Sequence, residues 1–247
     1  MPAPLVVQST SLNDYLARAF DEYFSSVFSQ WPPPKGATLI ELGCGRSVWL
    51  PYFATSYGLS VSGVDYSESG CNQARALLAR DGIQGDIRHG DIFSPTADML
   101  NCYDLVTSFG LVEHFSDTVD CLRHCAAFAK PGGLIITIIP NMFGSNGLLT
   151  RLINRPVFDI HVAMDLATLQ SAHADAGLVV LEARYLMPIN LNVVYPPPSY
   201  PIAVKKVING LFSLISKSVW VLDRIGVGLP PTPTFAPYLA CVAKKTG

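Results

Sequence analysis

From Thr38 onward, short runs of apolar and β-branched residues alternate with segments of helical periodicity, and nothing else in the chain restricts its fold as much. The runs lie near 38–42, 60–65, 84–89, 104–109 and 133–139, and helical patterns near 47–57, 67–81 and 116–130 separate most of them. A further helix near 165–176 leads into a run at 178–186, and "YLACVAKK" at 238–245 supplies the last one. Strands joined through crossover helices run parallel, and a parallel sheet must be covered on both faces. The expected fold is therefore α/β, with a doubly wound, mostly parallel seven-stranded sheet.

Two segments lie outside that alternation. Ser11, followed three residues later by Asp14, reads as a helix start, and Leu12, Tyr15, Leu16, Ala19, Tyr23 and Phe24 then recur at helical spacing towards Gln30. The prolines of "WPPPK" stop that helix. Before the last strand, "MPINLNVVYPPPSYP" and a helical stretch from Ile202 to Ile225 form an insertion. We read residues 1–247 as one domain: an N-terminal helical cap at 1–35, a ligand-binding core at 36–186, a Pro-rich and helical insertion at 187–236, and a last strand at 237–247. Within 203–225, Val204, Val207, Ile208, Leu211, Ile215, Val219 and Leu222 repeat at helical spacing, while Lys206, Asn209, Ser213 and Lys217 collect elsewhere. Such a face is expected to pack on its own domain or on a partner in a homodimer. Contact with a membrane surface or a lipid acceptor is the alternative.

Composition removes several classes of function. With 49% hydrophobic and 15% charged residues, a sizeable core is available. A formal net charge of −2, with the signs interspersed, leaves no footprint for nucleic acid. The 6 cysteines form no CxxC pair, so no metal site is expected from them and a reducing compartment is. "MPAPLVVQST" lacks the features of a signal peptide, and charged residues interrupt the most apolar C-terminal stretch, so no transmembrane segment and a cytoplasmic location are expected.

Doubly wound sheets bind ligands at the carboxyl ends of their strands. There the chain carries Glu41-Leu42-Gly43-Cys44-Gly45, then Asp65 in "VSGVDYSES", Asp91 in "RHGDIF", and "SFGLVEHF" followed by "KPGG". The interval from Gly45 to Asp65 is the roughly 20 residues expected between a glycine turn and an acid that accepts hydrogen bonds from ribose hydroxyls. An NAD-type oxidoreductase would share that interval, but the third glycine of its fingerprint is replaced by Val48, and no Gly-Lys-Ser/Thr of a P-loop is present. What remains suits a ligand with a ribose and no pyrophosphate.

With "ELGCG", "GVDYS", "GDIF" and "DLVTSFGLVEHF" in this order, the chain resembles the class I S-adenosylmethionine-dependent methyltransferases, particularly the small-molecule group called type 11, over about residues 38–186. The resemblance implies a Rossmann-like fold and S-adenosyl-L-methionine as cofactor. It places Glu41, Gly43, Cys44 and Gly45 beneath the methionine part, Asp65 on the ribose with Tyr66 beside the adenine, and Asp91 and Ile92 at the adenine's amino group and face. Phe109, Gly110 and Leu111 would line the sulfur, and His114 would open the substrate side. Ser47 departs from the family pattern, which often has a glycine there. The family's substrate contacts usually fall in the stretch 140–165. Asp159 and His161 there would share a face if extended, as a base and its orienting neighbour. The function these readings favour is methyl transfer to a small-molecule or lipid-like acceptor. The competing functions are the oxidoreductase and a non-catalytic partner protein that keeps the cofactor pocket without a usable acceptor cavity.

Overall fold

A computed structural model of the protein describes residues 15–246; the expected helix start at Ser11 and Asp14 lies outside them. The sheet has seven strands, β1 (Thr38–Leu42), β2 (Ser60–Asp65), β3 (Gly85–His89), β4 (Tyr103–Phe109), β5 (Ala129–Pro140), β6 (Leu178–Leu186) and β7 (Tyr238–Lys245). They are ordered β3-β2-β1-β4-β5-β7-β6, and β7 runs antiparallel to both neighbours. Strand order reverses between β1 and β4, which opens a crevice at their carboxyl ends.

Successive strand residues face opposite layers. Leu39, Leu105, Ile136 and Ile138 join the cluster under helices α1 (Tyr15–Gln30), α2 (Trp49–Tyr57) and α3 (Glu68–Arg80). Ile40, Leu42, Val106, Ile135 and Ile139 join the cluster under α4 (Thr118–Phe128) and α7 (Leu166–Asp175), which follows α5 (Ser145–Ile153) and α6 (Arg155–Asp159). The first layer is aromatic at its centre. Phe24 of α1 is fully buried, with ring centroids 4.9 Å from Phe53, 5.7 Å from Trp49 and 6.1 Å from Phe109. Burial of one such ring contributes roughly 1.5–3 kcal/mol, so α1 is fastened over the end of β4.

The insertion forms α8 (Ile202–Arg224), but of the expected face only Ile208 and Val219 are partly buried. Its inward residues are Phe212, Ser216 and Trp220, whereas Val204, Val207, Leu211, Ile215 and Leu222 are exposed, Val207 by 71%. Specific polar contacts decide the rotation. The Leu191 amide donates to the buried Ser216 hydroxyl (2.9 Å), and the Trp220 indole donates to the Ile189 carbonyl (2.8 Å) while stacking on Tyr15 at 4.8 Å. Among the described residues no helix is long and apolar enough to cross a membrane.

Candidate active site

The turn after β1 is held open by backbone geometry. Gly43 and Gly45 have φ of 68° and 37°, and a Cβ on Gly43 would meet Leu111 Cδ1 at 3.0 Å. Their neighbours tie the turn to β2: the Gly43 and Cys44 amides donate to the Val64 carbonyl at 2.9 and 3.2 Å. Asp65 fixes its far end, accepting from the Gly45 amide on one carboxylate oxygen and from the Ser67 amide on the other, both at 2.7 Å. Each oxygen keeps a lone pair for another donor. Ser67 also caps α3 by accepting from the Gly70 amide (3.1 Å).

Glu41 and Ser47 form a buried pair. The Ser47 hydroxyl donates to Glu41 (2.5 Å), and burial pushes the Glu41 carboxyl up to about 8 against that hydrogen bond. Ser47 also accepts from the Trp49 amide at 3.0 Å, starting α2 two residues later than the sequence suggested. The serine that departs from the family pattern is therefore the partner that lets an acid sit inside the fold.

The other expected cofactor residues gather at neighbouring strand ends. Tyr66 is exposed above β2, and the exposed Asp91 accepts from the Phe93 amide at 2.9 Å. Ile92 is only 7% exposed and packs in the core, leaving it little surface for an adenine face. Beyond β4, Phe109 stacks on Trp49 (4.9 Å, 14°), and Gly110, with φ of 65°, donates its amide to Ile138 (2.9 Å).

On the far side of Phe109 and Gly110 lies a cavity of about 360 Å³, walled by Leu16, Phe20, Trp49, Tyr195 and Tyr238. Glu113, His114 and His161 supply its polar groups. Glu113 is 1% exposed, neither carboxylate oxygen has a hydrogen-bond partner, and burial pushes it up to about 8. His114 and His161 stand 4.5 Å apart between ring centroids, with Nδ1 of each against a backbone carbonyl, Ile160 at 3.0 Å and Val157 at 2.6 Å. Burial lowers the His161 pKa below its ordinary value, so at neutral pH it is an uncharged imidazole. A larger hollow of about 640 Å³ between α1 and β6, lined by Tyr15, Glu22 and Asp223, carries none of the strand-end groups.

Asp159 is not the orienting neighbour of His161. It ends α6, where Arg155 grips its carboxylate with Nε at 2.7 and 2.9 Å, and the Val157 carbonyl takes the His161 Nδ1 position meant for it. The segment is helical rather than extended, so residues two apart do not share a face. Sequence reasoning also passed over Glu113, Trp49 and Gly70. Only Gly70 carried a signal, a glycine in the first turn of a helix; a Cβ there would meet Gly45 Cα at 3.1 Å.

Residues 40–137 match the protein family described as a methyltransferase domain. Over that stretch the chain is similar to methyltransferase domains. Over 100 residues this chain is 32% identical to the ubiquinone biosynthesis O-methyltransferase of Bordetella pertussis, covering 40% of this chain and 41% of that protein. Over 154 residues it is 29% identical to the protein of the same name from Stutzerimonas stutzeri, covering 59% and 66%. The chain thus spans about two fifths of the length of the first relative. The fold extends further. A sarcosine dimethylglycine methyltransferase candidate from Galdieria sulphuraria superimposes with a TM-score of 0.68 over 99% of this chain and 94% of its own, at 14% identity. Geranyl diphosphate C-methyltransferase from Streptomyces coelicolor does so with 0.62 over 97% and 84%, at 16% identity. The antiparallel β7 inserted between β5 and β6 also separates this sheet from the all-parallel 3-2-1-4-5-6 order of dinucleotide-binding folds.

Proposed function

We propose that the chain is an S-adenosylmethionine-dependent methyltransferase acting on an oxygen of a small, partly apolar acceptor. The observation that carries this reading is the shared wall of two sites. Phe109 and Gly110 close β4 between the glycine turn and the cavity of Glu113, His114 and His161, so a donor seated on the turn would offer its methyl to that cavity. The chain's residues fit such a donor: the positive-φ turn leaves no room for a Cβ at Gly43, and Asp65 keeps free lone pairs for ribose hydroxyls. The presence of a lined cavity speaks against a partner protein that keeps the cofactor pocket alone. Oxygen as the acceptor atom is supported by the named O-methyltransferase relatives.

S-adenosylmethionine, when bound, supplies a methyl group on a positively charged sulfur that is released as a neutral thioether in an in-line displacement. The protein's part is orientation and exclusion of water, which in well-aligned reactions provides roughly 7–11 kcal/mol. Phe20, Trp49 and Phe109 wall the meeting point with apolar rings. Activation of the acceptor hydroxyl falls to the polar floor. With its Nδ1 against the Val157 carbonyl, His161 leaves Nε2 as a lone pair on the cavity.

The exposed apolar arc of α8 is where we place contact with a membrane surface that delivers apolar acceptors. Lys206 and Lys217 border the arc along one side of the helix, and α5 also exposes Leu148 and Leu152. Sedimentation with anionic liposomes at low salt should retain the protein. Absence of retention together with a dimer in solution would give the arc to a second copy instead.

Calorimetric titration with S-adenosylhomocysteine, beside NADH, tests the cofactor. Binding of the first and not the second is expected, and the reverse would overturn the reading. A methyl-transfer screen across phenolic, amine and prenyl acceptors follows; silence on every class in a protein that binds the thioether would favour a non-catalytic role.

A further inference from the structure

We propose that Glu113, His114 and His161 form a binding site for one divalent cation of the zinc or manganese type on the floor of the acceptor cavity. One ligand atom from each residue lies within 4.8 Å of those of the other two. Three independent observations bring them to that role. The Glu113 carboxylate is buried with both oxygens unpartnered, a state that loses the solvation of a polar group without a replacement, and it borders the open cavity. Its Oε1 also lies 3.5 Å from where a Cβ on Gly110 would be, so the carboxylate stands at the wall shared with the cofactor turn. Both imidazoles direct Nδ1 at a backbone carbonyl, Ile160 and Val157. Such a bond places the ring proton on Nδ1 and leaves Nε2 as a lone pair, the arrangement in which metal-binding histidines are held.

Two imidazoles and one carboxylate favour zinc and its neighbours over magnesium, which selects oxygen ligands. Ligand atoms on such an ion sit roughly 2.0–2.2 Å from it and so roughly 3–3.5 Å from one another. The set is therefore open by up to roughly 1.5 Å and closes on binding. His114 is the exposed residue of the 3-10 turn Val112–His114 and His161 follows the short helix α6, so their side chains are the members free to move, while Glu113 is fixed by burial. Three protein ligands leave at least one coordination position facing the cavity for the acceptor's oxygen. A hydroxyl held there loses its proton to solvent more readily, so its oxygen can form the new bond to the methyl carbon as the methyl–sulfur bond breaks. His161 then serves as a ligand rather than as the base.

This assignment of the open position rests on the methyltransferase reading; the cation site itself does not. The full chain, freed of metal by dialysis against a chelator, is titrated with Zn²⁺, Mn²⁺ and Mg²⁺ in turn, and bound metal is counted by elemental analysis. One equivalent of Zn²⁺ or Mn²⁺ is expected, with Mg²⁺ bound far more weakly. Partners of metal ligands alone shift affinity by about 10–100-fold, so Glu113→Gln and His161→Ala should each weaken binding roughly a hundredfold or more. Circular dichroism monitors the fold of each variant. If Glu113→Gln does not fold, His161→Ala, on a half-buried side chain, decides alone. No stoichiometric binding to the wild type, or binding unchanged in a folded variant, overturns the site. S-adenosylhomocysteine titrated into the same samples separates the two readings: thioether binding without metal sinks the cation site alone, and metal binding without the thioether sinks the methyltransferase reading alone.

Discussion

The two sides of the β4 terminus are built differently. On the cofactor side each polar group already has partners: Asp65 holds two amides, Glu41 holds a serine, and the glycine turn is bonded to β2. On the acceptor side a buried carboxylate has none, and two imidazoles each spend one nitrogen on a carbonyl and hold the other in reserve. A site that is complete by itself binds a constant ligand, whereas a site left unsatisfied is finished by what enters it. The same contrast governs α8, whose inward side is fixed by hydrogen bonds while its outward apolar arc is left exposed among the described residues.

The largest expected effect tests whether the sides are separable. Trp220→Ala removes a buried aromatic that ties α8 to α1, which costs roughly 3–5 kcal/mol of stability. Thermal unfolding should show that loss while affinity for S-adenosylhomocysteine stays within about twofold of the wild type. A tenfold weakening in the folded variant would mean that the clasp between the chain's ends also shapes the cofactor turn.

Glu41 sharpens the contrast on the cofactor side. Its folded pKa, about 8, lies above the ordinary 4.5, so the folded protein keeps a proton that the unfolded chain has released. Stability should therefore fall as pH rises from about 4.5 to about 8 and level off above, by a few kcal/mol at most. In Glu41→Gln its share of that slope should vanish in urea unfolding curves taken across this range, leaving the share of Glu113, whose carboxyl is also pushed up to about 8. His173 works in the other direction at lower pH. Burial lowers its pKa to about 4, so its contribution is lost as pH falls from about 6.5 towards 4.

Asp65→Ala should raise the dissociation constant for the cofactor by tenfold or more, because hydrogen bonds to a charged acceptor contribute roughly 1.5–3 kcal/mol. An unchanged constant in calorimetry would remove the ribose role. The smallest effect belongs to Asp159. Its pair with Arg155 is exposed, and pairs of that kind contribute about 0.3–0.5 kcal/mol, so Asp159→Ala should leave turnover intact. A large drop in kcat would restore it to the reaction.

What was legible in the sequence follows the same division. The bounds of β1, β2, β6 and β7, the Ser67 cap and the glycine turn could be read directly, because periodicity, propensity and positive φ are local properties. The acceptor side could not. Glu113 matters through what fails to approach it, Asp159 was captured by an arginine four residues away, and α8 turned on the Ser216 and Trp220 hydrogen bonds against a stronger apolar stripe. Contacts between distant segments, made or missing, decide Glu113 and α8, and a spacing pattern does not record them; Asp159 turned instead on its segment being helical rather than extended.

The stack of Trp49 on Phe109 gives the molecule an optical gauge of its own. The chain has 3 tryptophans, Trp31, Trp49 and Trp220, and only Trp49 stands at the wall where donor and acceptor would meet. With Trp31 and Trp220 replaced by phenylalanine, the remaining indole emission would follow that wall alone. Filling either side could then be timed in a stopped-flow mixer without attaching a dye.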